Sequence, residues 1–176
     1  MCGSFDWTAG VNLKIERKYL ILMCLTGLLI SLDQITKLYV HTQFQLHESL
    51  PVIPNFFHIT YVRNFGAAFG FLSQTSNAFR EIFFLAIPPI ACLTILFILR
   101  GVKSKDTAQA VALSSIFAGA MGNYIDRLQF RYVIDFLDFH LGSMSWPAFN
   151  ISDMAIVGGV VFLVYLMIIE NKRLPA

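Results

Sequence analysis

A chain of 176 residues that is 56% hydrophobic and 14% charged, with a mean hydropathy of +0.64, is too apolar for a water-soluble domain of its length. The length admits one domain spanning residues 1–176, and a net charge of +2 offers no basic surface for nucleic acid. Three cysteines (Cys2, Cys24, Cys92) lack metal-site spacing. Cys24 and Cys92 fall in apolar runs and read as small buried hydrophobes, so no structural disulfide is expected.

In chain order, residues 1–18 are polar and carry Lys14, Arg17 and Lys18, a cytoplasmic lead-in. Residues 19–40 form the first apolar span. No small-x-small cleavage site follows it, so it reads as a retained anchor. Asp33 and Lys37 lie four residues apart on one face of its last third, about 21 Å along from Tyr19. An ion pair near the interface with a snorkelling lysine accounts for them without any chemistry. Residues 41–81 form the first outer loop. Phe56–Val62, rich in β-branched and aromatic residues, predicts a strand, and the small residues from Gly66 to Gly70 permit close backbone approach. Together they predict a small β-rich subdomain resting on the bilayer.

Residues 82–99 contain no charge and form the clearest span, with Pro88-Pro89 expected to kink it. Residues 107–125 are the third span. They carry Ser115-x-x-x-Gly119 and Ala118-x-x-x-Gly122, spacings that allow tight helix packing. Residues 127–150 form a second outer loop, and residues 151–169 the fourth span. Eight of the thirteen basic residues lie in the lead-in, the 100–106 loop and the C-terminal tail. That bias predicts an all-α membrane protein of four transmembrane helices with both termini cytoplasmic.

This topology brings Asn123-x-x-Asp126 and Asn150-x-x-Asp153 to the same outer face from consecutive helices. Ionisable residues at membrane depth are costly, and by default they mark function. Two carboxyls a few ångströms apart share a proton. One then takes a proton from water while the other donates to a carbonyl oxygen, which cleaves an amide without a covalent intermediate. The two asparagines would orient the acids. Asp135 and Asp138 lie in the second loop and read as solvated or structural. His41, His47, His58 and His140 lack zinc-site spacing and read as single surface histidines. Ser114, Ser115 and Ser152 have no histidine near them in sequence.

Five ordered blocks carry a resemblance: Asp33-Gln34-Ile35-Thr36-Lys37, Asn64-x-Gly66-Ala67-Ala68-Phe69-Gly70, Gly122-Asn123-x-x-Asp126-Arg127, Val133-x-Asp135-Phe136 and Phe149-Asn150-x-x-Asp153. In these the chain resembles the bacterial lipoprotein signal peptidases (type II signal peptidases). The resemblance implies a membrane aspartic endopeptidase with Asp126 and Asp153 as its dyad. The substrate implied is a prolipoprotein already carrying diacylglyceryl on its lipobox cysteine, cut immediately before that cysteine. Asn64, Gly66, Asn123, Arg127, Asp135 and Asn150 would line or support the substrate site, backed by Asp33 and Lys37. Arg127, adjacent to Asp126, would bind substrate carbonyls or lipid ester oxygens; the competing reading is a positive anchor at the headgroup level. A globomycin-type inhibitor would block the dyad. No metal and no organic cofactor are implied. The expected setting is the bacterial inner membrane, as a monomer in contact with lipid, with the site toward the periplasmic face. One departure is Ser152, where the family usually has alanine; its hydroxyl would add a hydrogen bond to Asp153. The competing class is a small proton-coupled transporter or a membrane-complex subunit. A transport path needs polar groups across the whole membrane, whereas here the inner halves of the spans are nearly free of them.

Overall fold

The computed structural model describes residues 15–66, 77–142 and 144–173. The four elements expected as spans are helices: α1 Arg17–Gln43, α2 Asn77–Gly101, α3 Thr107–Phe130 and α4 Ile151–Arg173. All four run past their apolar cores, because residues bounding an apolar run still satisfy their backbone groups best by continuing the helix. α2 carries Pro88 and Pro89 inside it. Three helices are long and apolar enough to cross a membrane by length and composition: α1, the 82–101 part of α2, and the 151–171 part of α4. α3 differs for a physical reason. It packs against α1, α2 and α4 and buries Ser114, Gly119, Gly122, Asn123 and Asp126. Its environment is other helices, so it has less need of bulky apolar side chains.

Small residues set the α3–α4 spacing. A Cβ on Gly159 would lie 2.7 Å from Ile116 Cγ1 and 2.8 Å from the Ala112 carbonyl oxygen, whereas one on Gly158 meets nothing within 4 Å. Gly159→Ala is expected to destabilise by about 1–3 kcal/mol through overpacking. Gly158→Ala is expected to be neutral or to stabilise by about 0.5–1 kcal/mol through helix propensity. Thermal melts of the two variants side by side check this, and an equal or higher melting temperature for Gly159→Ala contradicts it.

At the cytoplasmic end expected from the charge bias, Lys18 is not a free positive charge. It is buried and donates to the carbonyls of Arg100 and Val102, 2.9 and 2.8 Å away, closing the C-terminal end of α2. Cys92 is buried as expected, but Cys24 is exposed on the outside of α1.

The connections after α1 and α3 make an antiparallel sheet in the order β1-β2-β3-β4: β1 Ser49–Ile53, β2 Phe57–Asn64, β3 Val133–Leu141 and β4 Met144–Ser145. The strand expected at 56–62 is β2. β3 corrects the reading of Asp135 and Asp138 as loop residues. In β3, Asp138 stands opposite His58 and Asp135 opposite Val62, with a register shift on β2 between Ile59 and Val62. Asp135 and Asp138 are three apart on a strand, so they leave it on opposite faces. Val40 of α1 packs with Tyr61, Ile134 and Phe136, seating the sheet on the bundle. Phe139 stacks on Phe57 and on Phe149, with centroids 4.8 and 5.7 Å apart.

Candidate active site

The polar residues at the sheet-side ends of the helices meet in one network. Asp33 and Lys37 are 0% and 2% exposed. This corrects the expectation of a snorkelling pair. Lys37 Nζ lies 2.8 Å from Asp33 Oδ2 and 3.0 Å from Asp126 Oδ2, and donates to Asn123 Oδ1 at 2.9 Å. Three acceptors match the three ammonium hydrogens. Asp33 Oδ1 accepts the backbone N–H of Ser152 at 2.9 Å, which satisfies an orphan donor in the first turn of α4.

Asp126, 1% exposed, has both oxygens taken. Oδ1 accepts from Gln34 Nε2 at 2.9 Å, and Oδ2 accepts the Ile134 N–H at 3.0 Å in addition to facing Lys37. It therefore ties the end of α3 to the start of β3, one residue before Asp135. A cleft lined by Gln34, Lys37, His41, Asp126 and Phe130 opens beside it.

The two Asn-x-x-Asp motifs are not structural equivalents. Asn123 lies inside α3 and donates to Asp153 Oδ1 at 2.7 Å, so it serves the acid of the other motif. Asn150 caps α4. Its Oδ1 accepts the Asp153 N–H at 2.9 Å, and its own N–H donates to Asp153 Oδ2 at 3.2 Å. This is a reciprocal capping box. The Asn150 side-chain amide also donates to Asp135 Oδ1 at 2.7 Å, to Asn123 Oδ1 at 3.1 Å and to the Ile134 carbonyl at 3.3 Å. One residue thus holds both Asp135 and Asp153.

Asp135 is 2% exposed and accepts from Asn64 Nδ2 at 2.9 Å through its other oxygen. Burial, and then the charge of Asp153, push its carboxyl up to about 7, against the hydrogen bonds from Asn64 and Asn150 and the charge of Lys37. Asn64 Oδ1 also accepts the Gly66 N–H at 2.8 Å. Gly66 has φ +96°, a conformation that favours glycine, and a Cβ there would run into the Phe84 ring. Ala67 to Gly70 lie outside the described residues. Arg127 is within Coulombic reach of Asp153, Asp126 and Asp135. Its guanidinium donates to the Asn123 carbonyl at 3.2 Å and lies 5.2 Å from the Phe84 ring centre.

Two further expectations change. Ser152 Oγ is buried and has no hydrogen-bond partner among the described residues. It packs against Gly122, so it gives Asp153 no bond. Three of the four histidines are not isolated either, while His47 is exposed as expected. His41 Nδ1 is 2.6 Å from the Tyr61 hydroxyl, and His58 and His140 meet at Asp138.

All eight helix-end and strand residues singled out from the sequence other than Gly66 and Arg127 join this one network through side chains. Asp135 is the member whose weight sequence reasoning missed. Its signal was the Val133-x-Asp135-Phe136 block, an acid set among apolar β-formers, where a solvated carboxylate has no place.

Comparison with known proteins places this geometry. A family model described as signal peptidase (SPase) II matches residues 25–169. A lipoprotein signal peptidase of Syntrophus aciditrophicus (strain SB) is 52% identical over 158 residues, 89% of this chain and 98% of its own length. One from Desulforapulum autotrophicum is 45% identical over 159 residues, 90% and 98% of the two chains. Two bacterial membrane enzymes solved by the in meso method, at 2.3 and 1.9 Å resolution, share the fold. Their TM-scores are 0.78 and 0.76 at 31% and 32% identity, covering 93% and 87% of this chain and 94% and 97% of theirs. The chain belongs to the signal peptidase II family.

Proposed function

We propose that this protein is an aspartic endopeptidase of the bacterial cytoplasmic membrane. It removes the signal peptide from diacylglyceryl-modified prolipoproteins by cutting before the lipidated cysteine. Family membership supports the substrate class. The observation that carries the mechanism is Asn150, which binds Asp135 and Asp153 together. On that basis the catalytic pair is Asp135 with Asp153, and Asp126 is a positioning residue. The alternative pair expected from the sequence, Asp126 with Asp153, draws its support from the cleft beside Asp126. It is disfavoured because Gln34, Lys37 and the Ile134 N–H already occupy that carboxylate.

In the reaction, Asp153 is the carboxylate. It sits in the first turn of α4, where the helix macrodipole favours an anion. It takes a proton from water as the water oxygen adds to the scissile carbonyl carbon. Asp135 gives its proton to the carbonyl oxygen. The tetrahedral diol collapses when Asp153 returns a proton to the leaving nitrogen and Asp135 takes one back from a hydroxyl. Both acids are then restored. Asn64, Asn123 and Asn150 hold the carboxyls, and Arg127 faces the developing negative charge. Four helices span the membrane, with α3 shielded by its neighbours. Both termini are cytoplasmic, and the site faces outward beside the sheet.

The test is conversion of a diacylglyceryl-modified prolipoprotein by the purified protein in detergent, with the unlipidated precursor as control. Cleavage before the cysteine of the lipidated precursor is the expected result. A folded protein inert on it overturns the reading.

A further inference from the structure

Outside the peptidase site, β2 and β3 bring a second group of ligand-bearing side chains together. His58 stands opposite Asp138 across the strand pair, and His140 follows two residues later on the same face. One ligand atom from each of the three lies within 4.8 Å of the others. The imidazoles face each other with ring centres 4.6 Å apart. His140 Nε2 is 3.0 Å from Asp138 Oδ1. It is nevertheless a buried nitrogen with no hydrogen bond of acceptable direction among the described residues. Asp138 Oδ2 is held by the Thr60 hydroxyl at 2.7 Å. His58 Nδ1 has one long contact, 3.4 Å to Ser49 Oγ.

We infer that His58, Asp138 and His140 form a binding site for a divalent cation of the zinc class on the outer sheet. Two imidazole nitrogens and one carboxylate oxygen are the donor set that suits Zn²⁺, Cu²⁺ or Ni²⁺, not the all-oxygen shell that Ca²⁺ and Mg²⁺ require. Ligand atoms around a tetrahedral Zn²⁺ with bonds of about 2.0 Å sit about 3.3 Å apart. The ligand atoms, all within 4.8 Å of one another, need only draw in to reach that spacing. The Thr60 bond fixes the carboxylate from outside, as partners of metal ligands do. A fourth position stays open to water. The ion would clamp β2 to β3 beside the register shift, three residues from Asp135 but on the opposite face of the strand. Sequence spacing concealed this site, since His58 lies 80 residues from Asp138.

Untagged full-length protein in detergent, titrated calorimetrically with ZnCl₂, tests the inference. One equivalent is expected to bind and to be undiminished by excess Mg²⁺. His58→Gln and His140→Gln are each expected to lose it, while His47→Asn and Asp153→Asn retain it. Absence of a stoichiometric site in the wild type, or its survival in both glutamine variants, overturns the inference. Should those variants melt early, Cu²⁺ bound to the wild type decides. Its paramagnetic resonance spectrum shows coupling to two imidazole nitrogens if the site is as described, and none if it is not.

Discussion

Asp135→Asn and Asp153→Asn are each expected to cut the rate of prolipoprotein cleavage by at least about 10²–10⁴-fold while leaving the protein folded. Each substitution is nearly isosteric but removes a group that gains or loses a proton in the proposed mechanism. The measurement is a single-turnover assay on lipidated precursor. Near-full activity in either variant ends the assignment of that acid. Asp126→Asn loses activity by a different route. It breaks the Ile134 N–H bond that starts β3 and weakens the partnership with Lys37. Its loss should therefore come with a lower melting temperature.

Melting temperature against pH separates the two roles. Asp135 holds its proton up to about pH 7 in the folded protein, whereas its ordinary value is 3.8. Between those values the unfolded chain has released a proton that the folded chain retains. Wild-type stability from this group is therefore full below about pH 4, falls as pH rises to 7 and then levels off. Asparagine has no such dependence. The melting temperature of Asp135→Asn relative to wild type should thus climb from pH 4 to 7 and stay flat above. Such a trend marks a buried acid kept at a cost to stability, as functional groups are. A flat difference across that range removes the argument that Asp135 carries the proton.

The helices were legible because twenty-residue apolar runs have few alternatives, and β2 because β-branched and aromatic residues cluster there. The convergence of Asp33, Lys37, Asn123, Asn150 and Asp153 was legible from matching depth alone. What escaped was pairing. Asn123 lies three residues from Asp126 yet bonds Asp153, because side-chain direction on a helix is settled by the neighbouring helix as much as by spacing. Asp135 was hidden by a register shift on the partner strand, and the His58–His140 meeting by strand pairing across 80 residues. Non-local pairing leaves little trace in one sequence. The family blocks reported that Asp135 matters, but not that it stands beside Asp153.

Lys37→Met should be the most destabilising single substitution in the network, by about 3–5 kcal/mol. In a chain of this size that corresponds to a fall in melting temperature on the order of 10 °C. Lys37 touches both Asp33 and Asp126, and neither acid has more than 1% exposure. Without it two carboxyls remain buried with hydrogen-bond donors but no ammonium against them, and at least one must take up a proton. Asp33 would then hold the Ser152 N–H less well, and Asp126 the Ile134 N–H. The loss spreads from α1 to the first turn of α4 and the first residue pair of β3, the two elements that carry Asp153 and Asp135. Replacing Asp33 by Asn in the same chain removes one of the stranded acids and should recover part of the lost stability. Thermal unfolding of wild type, Lys37→Met and Asp33→Asn/Lys37→Met checks both steps. A Lys37→Met protein that melts with the wild type would mean the buried triad contributes nothing to the fold. Lys37 would then act on Asp135 and Asp153 through its charge alone.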